Sequence, residues 1–188
     1  WLLGLLWLLP AFAHADDGNP LSLTIPEQMV NDALKGQSFS GEDSYPTAIG
    51  EVPYTWKLSE ISFSFQEGYA DIKATAEISA KGHSYKEPVT GKLSLKLQVR
   101  SQKIQAKLEN LTVPIYASVL GTRKKIGEVD LASVIGPQEE SIEPYLNKAA
   151  PFLPKGTTLN AKSLGISAGA IKAEVVVKTS TPPAETPK

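Results

Sequence analysis

The stretch ISFSFQEGYADIKATAEI, Ile61–Ile78, alternates apolar and polar residues up to Glu67-Gly68 and then alternates again. Period-two patterning on both sides of a glycine-containing pair marks a β-hairpin. With Glu67-Gly68 at the tip, Gln66 faces Tyr69, Phe65 faces Ala70, Phe63 faces Ile72 and Ile61 faces Ala74. Every apolar side chain then falls on one face. Further out, the first arm changes parity: Tyr54, Trp56 and Leu58 are even, whereas Ile61, Phe63 and Phe65 are odd. Opposing both Ser59 and Glu60 to Thr75 repairs the pairing, with Leu58 against Ala76 and Trp56 against Ile78. Such an insertion is a β-bulge, which bends and twists a strand. The arms also differ in bulk. Ala70, Ala74 and Ala76 leave room for a helix or a bound chain to approach the sheet closely.

The pattern recurs twice. A tip at Ser101-Gln102 pairs Val99 with Ile104, Leu97 with Ala106 and Leu95 with Leu108. A slip at Glu109-Asn110 then sets Leu111 against Leu93 and Val113 against Gly91. A tip at Ala168-Gly169 pairs Ile166 with Ile171 and Leu164 with Ala173, and a slip at Lys162-Ser163 sets Ala161 against Val175 and Leu159 against Val177. Three bulged hairpins predict a strongly curved antiparallel sheet.

Helical signals are fewer. LSLTI, residues 21–25, reads as a short strand. Thr24 and Glu27 have capping-box spacing, Pro26 suits a first turn, and Met29, Val30, Ala33 and Leu34 form a stripe that Gly36 ends. Residues 36–52 are polar and read as a loop. Asp130 suits the cap of a short helix broken by Gly136-Pro137. Ile142, Tyr145, Leu146, Ala149, Phe152 and Leu153 have helical spacing, which predicts a helix over residues 138–150. The order predicts an α+β fold: a strongly curved antiparallel β-sheet with bulged hairpins wrapped around one or two helices.

Residues 1–15, WLLGLLWLLPAFAHA, carry no charge, and Ala13-His14-Ala15 fits a signal-peptidase site. They read as a secretory signal truncated at its start, which predicts a periplasmic or secreted protein after cleavage near Ala15. Residues 16–179 form a single domain, and the Thr/Pro-rich residues 180–188 read as a disordered tail. The chain has 19 Lys+Arg against 20 Asp+Glu, a balance that argues against nucleic-acid binding. With 0 Cys it forms no disulfides, so its stability comes from packing.

No catalytic constellation is visible. His83 is the one histidine outside the signal, beside Gly82 in a turn, too isolated for a metal site or a triad. Nucleophile-elbow and phosphate-cradling glycine motifs are absent. Glu139 and Glu140 suit a helix N-terminus, where the macrodipole favours acids. The chain therefore reads as a non-enzyme with no cofactor and no metal. Lys96, Arg100, Lys103 and Lys107 fall on the face opposite the leucines, and Arg123, Lys124 and Lys125 cluster in a turn. That cluster is the candidate contact for a partner or lipid head group, against the plainer reading of a solvated outer face. On the other face, Leu93, Leu95, Leu97, Val99, Ile104 and Leu108 form an apolar slab that suits either a ligand or a packed core.

LSLTIPEQMVNDAL, LSEISFSFQEGYADIKATAEIS and LNAKSLGISAGAIKAEVVVK resemble the YceB-like bacterial envelope lipoproteins, a domain of unknown function, across nearly the whole mature chain. The resemblance implies the architecture of tubular lipid-binding modules, in which a curved sheet wraps a helix around an apolar groove. It transfers no functional residue, and no lipobox cysteine follows the signal here, so membrane association is peripheral at most. The expected function is binding of a lipid or other apolar ligand between sheet and helix. The candidate residues are Ile61, Phe63, Phe65, Ile72, Leu95, Leu97, Leu108, Ile142, Tyr145 and Leu146. The alternative is an envelope interaction or scaffold protein that uses its outer basic face and has no ligand cavity.

Overall fold

The computed structural model describes residues 20–47, 50–80, 83–119, 122–144, 146 and 157–179. Strand β1 (Leu21–Pro26) leads into helix α1 (Glu27–Leu34). Strands β2 (Phe39–Thr47), β3 (Gly50–Phe65), β4 (Ala70–Ala80), β5 (His83–Gln98) and β6 (Lys103–Glu109) follow as a meander. Then come β7 (Thr112–Val119), β8 (Thr122–Asp130), helix α2 (Leu131–Ile135), β9 (Gln138–Ser141), β10 (Thr157–Ser167) and β11 (Ala170–Thr179). The meander and β9 form a curled half-barrel in the order β2-β3-β4-β5-β6-β9. A three-stranded sheet β1-β11-β10 and a two-stranded sheet β7-β8 complete the sheets among the described residues, all antiparallel.

The β3–β4 hairpin has the expected register: Phe65 opposes Ala70, Phe63 opposes Ile72, Leu58 opposes Ala76 and Trp56 opposes Ile78. Its register shifts between Ser59 and Ser62, where Glu60 takes a φ of 53°. The β10–β11 hairpin also pairs as expected, shifting between Ala161 and Ser163. The second hairpin differs by two residues. Leu97 opposes Ile104, Leu95 opposes Ala106 and Leu93 opposes Leu108. A longer turn, Val99 to Gln102, closes it, with Gln102 at a φ of 47°. An even shift keeps every side chain on its face, so alternation alone does not distinguish the two registers. It does move Val99 into the turn, where it is 51% exposed instead of part of the slab. The expected bulge at Glu109-Asn110 is instead an exit from the sheet: Asn110 turns at a φ of 58°, and the following residues pair with β8. Leu111 still lies over Gly91, where a Cβ would come within 3.1 Å of its side chain.

Residues 39–47 form strand β2 rather than a loop, with Phe39 opposite Leu58 and Tyr45 opposite Val52. Its polar, Gly- and Pro-containing composition is that of an edge strand. Gly41 serves packing: the Trp56 ring lies on it, and a Cβ there would meet the indole at 2.7 Å. Tyr45 reaches Gly127 of β8, and Tyr85 meets Tyr116 edge-on at 5.4 Å, so β7–β8 packs against this end of the half-barrel.

Helix α1 ends near Gly36 as expected, but Pro26 is its N-cap and the capping box does not form. Glu27 works elsewhere. Strand β2 ends opposite Leu58, which leaves the edge of β3 bare beyond the bulge. Helix α1 covers it. The Asn31 amide donates to Phe63 O at 2.9 Å and accepts from Phe63 N at 2.7 Å, and Glu27 Oε2 accepts from Phe65 N at 2.6 Å. These side chains stand in for a missing strand. Asp130 caps α2 through Ala132 N at 3.0 Å, and Gly136 ends it. The helix expected over 138–150 is replaced at its start by β9, paired with β6; helical backbone begins only at Glu143. Glu139 and Glu140 therefore sit on a strand, not at a helix N-terminus. The signal stretch, the tail and the later part of that helix lie outside the described residues.

Candidate functional site

The two large sheets meet at their hairpin tips. Gly68 N donates to Ile166 O at 2.9 Å, Gly169 N to Phe65 O at 3.2 Å, and Glu27 N to Gly169 O at 2.9 Å. Away from these tips the sheets diverge around an apolar slot. One wall is the inner face of β1-β11-β10: Leu23, Ile25, Ile171, Ala173, Val175, Ala161 and Leu164. Leu97, Ile104, Ile142 and Leu146 form the other, and Ser163 adds the one polar side chain. Ile142 and Leu146 share a face because one helical turn separates them, closed by Leu146 N to Ile142 O at 3.1 Å.

The slot holds about 40 Å³. A site for a drug-sized ligand occupies roughly 300 Å³ or more, and one water-sized sphere about 10–15 Å³. The slot thus admits the end of one narrow alkyl chain and no ring system. Several lining residues, among them Leu23, Leu97, Leu164 and Ile171, are only partly buried, so the slot reaches the surface.

Of the residues singled out in the sequence, Leu97, Ile142 and Leu146 converge on this slot. Phe63, Phe65, Ile72 and Leu108 are buried in the common core, and Ile61 and Leu95 pack against it partly exposed. Tyr145 lies outside the described residues. The alanine strip is buried, with Ala70 and Ala76 both 0% exposed, but does not line the slot. Among the lining residues missed were Leu23, Ile25, Ile171 and Val175. Alternation marked them as inward-facing, but no local signal says that β1 joins β11 across the length of the chain.

Two broader hollows, of about 440 and 530 Å³, are shallow and open to solvent along β2, β3 and β4. Glu42, Thr55 and Ser79 line both, with Asp43 and Ser44 in one and Glu77 in the other. Among the described residues no group of three or more His, Cys, Asp or Glu is placed to hold a metal ion. His83 is exposed at the start of β5. Arg123, Lys124 and Lys125 lie on strand β8, opposite Ser118, Ala117 and Tyr116, rather than in a turn. The Lys125 ammonium donates to Glu128, which raises its pKa. On the outer face of the half-barrel, Lys107 pairs with Glu109 at 2.7 Å and Lys103 with Glu139 at 4.0 Å. Among the described residues no helix is long and apolar enough to cross a membrane.

No protein-family model, curated protein or solved structure matches this chain.

Proposed function

We propose that this chain is an exported, non-enzymatic binding module of the YceB-like kind that takes the end of a single alkyl chain, as in a lipid, between its two large sheets. The observation that carries the reading is the slot itself, where two sheets and the segment bearing Ile142 and Leu146 converge on a lining that, among the described residues, has one hydroxyl and no charge. The uncharged residues 1–15 and their Ala13-His14-Ala15 ending support export. Glutamates beside the outer lysines favour an apolar ligand over an anionic partner.

The dimensions set the mode of binding. Burying a methylene contributes about 0.8 kcal/mol. Three of them, which is about what the closed slot admits, give roughly 2.4 kcal/mol, short of the ~4.1 kcal/mol of a millimolar complex. Useful affinity therefore requires the sheets to part. Native mass spectrometry of the protein purified from a cell-envelope extract tests the reading. A discrete adduct that yields a single-chain lipid on denaturation is expected. Bare protein under gentle conditions, also after incubation with lysophospholipid, refutes it.

A further inference from the structure

The two ends of the slot are held differently. At the β10–β11 tip, three backbone hydrogen bonds fasten the three-stranded sheet to the β3–β4 hairpin and α1. At the other end, β10 packs against β5, and among the described residues the hydrogen bonds that tie it to the β5–β6 turn come from one side chain. Gln102 Oε1 accepts from Ala161 N at 2.8 Å, and Gln102 Nε2 donates to Ala161 O at 3.1 Å and to Val99 O at 2.6 Å. The Gln102 carbonyl accepts from Ile142 N at 2.9 Å. One residue thus joins the turn, the segment bearing Ile142 and the edge of β10. It does so beside the slot, since Ala161, Ile104 and Ile142 all line it.

The β10 contact falls at the register shift between Ala161 and Ser163. A bulge disrupts the ladder locally, and a primary amide carries both the donor and the acceptor that a missing strand would supply. Side-chain amides are easier to release than a ladder, because a single rotamer change breaks both contacts to Ala161 together.

Resting on the alkyl-chain reading above, we infer that Gln102 is the latch of the slot: its release from Ala161 lets the three-stranded sheet swing about the β10–β11 tip and admits the alkyl chain. Ligand enters between β10 and the β5–β6 turn, and Gln102 sets how often that path opens.

Gln102→Asn and Gln102→Ala test this. Asn tolerates the left-handed backbone at this position and leaves the Ile142 contact in place, but it is one methylene too short to reach Ala161. Two ordinary hydrogen bonds correspond to a roughly 30-fold change in the opening equilibrium. Amide exchange at Ala161 should accelerate by about that factor in both variants, with exchange in β3 and β4 unchanged. Uptake of 1-octanol, followed by methyl NMR at Leu164 and Ile171, should become faster and tighter than in the wild type. Unchanged Ala161 exchange, with octanol still bound by the wild type, overturns the latch and leaves the ligand reading standing. Accelerated exchange with no octanol bound by any form overturns the ligand reading and the gating role together.

Discussion

Ala173→Val places two further methyl carbons inside the slot. Ala173 sits on β11 opposite Leu23 and Leu164, a partly buried position on the inner face, and a β-branched residue suits the strand. The loss associated with an unfilled cavity is about 24 cal/mol per Å³, so the 40 Å³ of this slot corresponds to about 1 kcal/mol recoverable by filling it. Full burial of two methyl groups sets an upper limit near 1.6 kcal/mol. The variant should therefore gain about 1 kcal/mol in urea unfolding, with unchanged m, and melt roughly 2–4 °C higher. It should also lose 1-octanol binding, because the volume that the chain end enters is taken. A destabilised variant means that the slot is already full, since overpacking a closed core costs about 1–3 kcal/mol. A stabilised variant that still binds octanol means that the ligand sits elsewhere. Either result refutes the reasoning.

Three other expectations concern the frame around the slot. Asn31→Ala strips the bare edge of β3 of its partner at Phe63; two lost hydrogen bonds, offset in part by the better helix propensity of alanine, leave a loss of about 1.5 kcal/mol in chemical denaturation. A change under about 0.5 kcal/mol would show that water replaces the amide. Gly41→Ala drives a Cβ into the Trp56 indole and should cost about 1–3 kcal/mol, with a red-shifted Trp56 emission in protein lacking residues 1–15; an unshifted spectrum contradicts that packing. Burial, and then the Asp43 carboxylate beside it, push the Tyr54 phenol from 10.0 up to about 12. The folded chain thus holds a proton that the unfolded chain releases near pH 10. Tyr54 stabilises the fold fully below that pH, and its contribution falls as pH rises towards 12. Absorbance at 295 nm should show a late phenolate step that Tyr54→Phe abolishes, and a step that survives the substitution assigns it to another tyrosine.

The hairpins were legible because alternation is local and strict. Phe63 against Ile72, and Leu164 against Ala173, follow from parity and a glycine tip, and the parity breaks located both bulges. Where alternation is silent the reading went astray. A shift of two residues preserves faces, so the turn at Gln102 was misplaced. The polar edge strand β2 looked like a loop because its composition is polar, and the role of Gly41 in making room for Trp56 is not a local signal. The expected helix extends the periodicity that begins at Ile142 back over Gln138–Ser141, four polar residues that pair with β6 instead. Most of one wall of the slot was visible as Leu97, Ile142 and Leu146. The opposite wall depends on β1 crossing to β11, a contact between the two ends of the domain that no local pattern encodes.

A methyl NMR titration of the wild-type protein with 1-octanol tests the slot as a binding site most directly. Binding there gives saturable shifts at Leu97, Ile142, Leu146, Leu164, Ile171 and Val175, with the core methyls of Leu58, Ile72 and Leu108 unmoved. Shifts that fall on the core residues instead, or no saturable shift at any methyl up to the solubility limit of the alcohol, would contradict it.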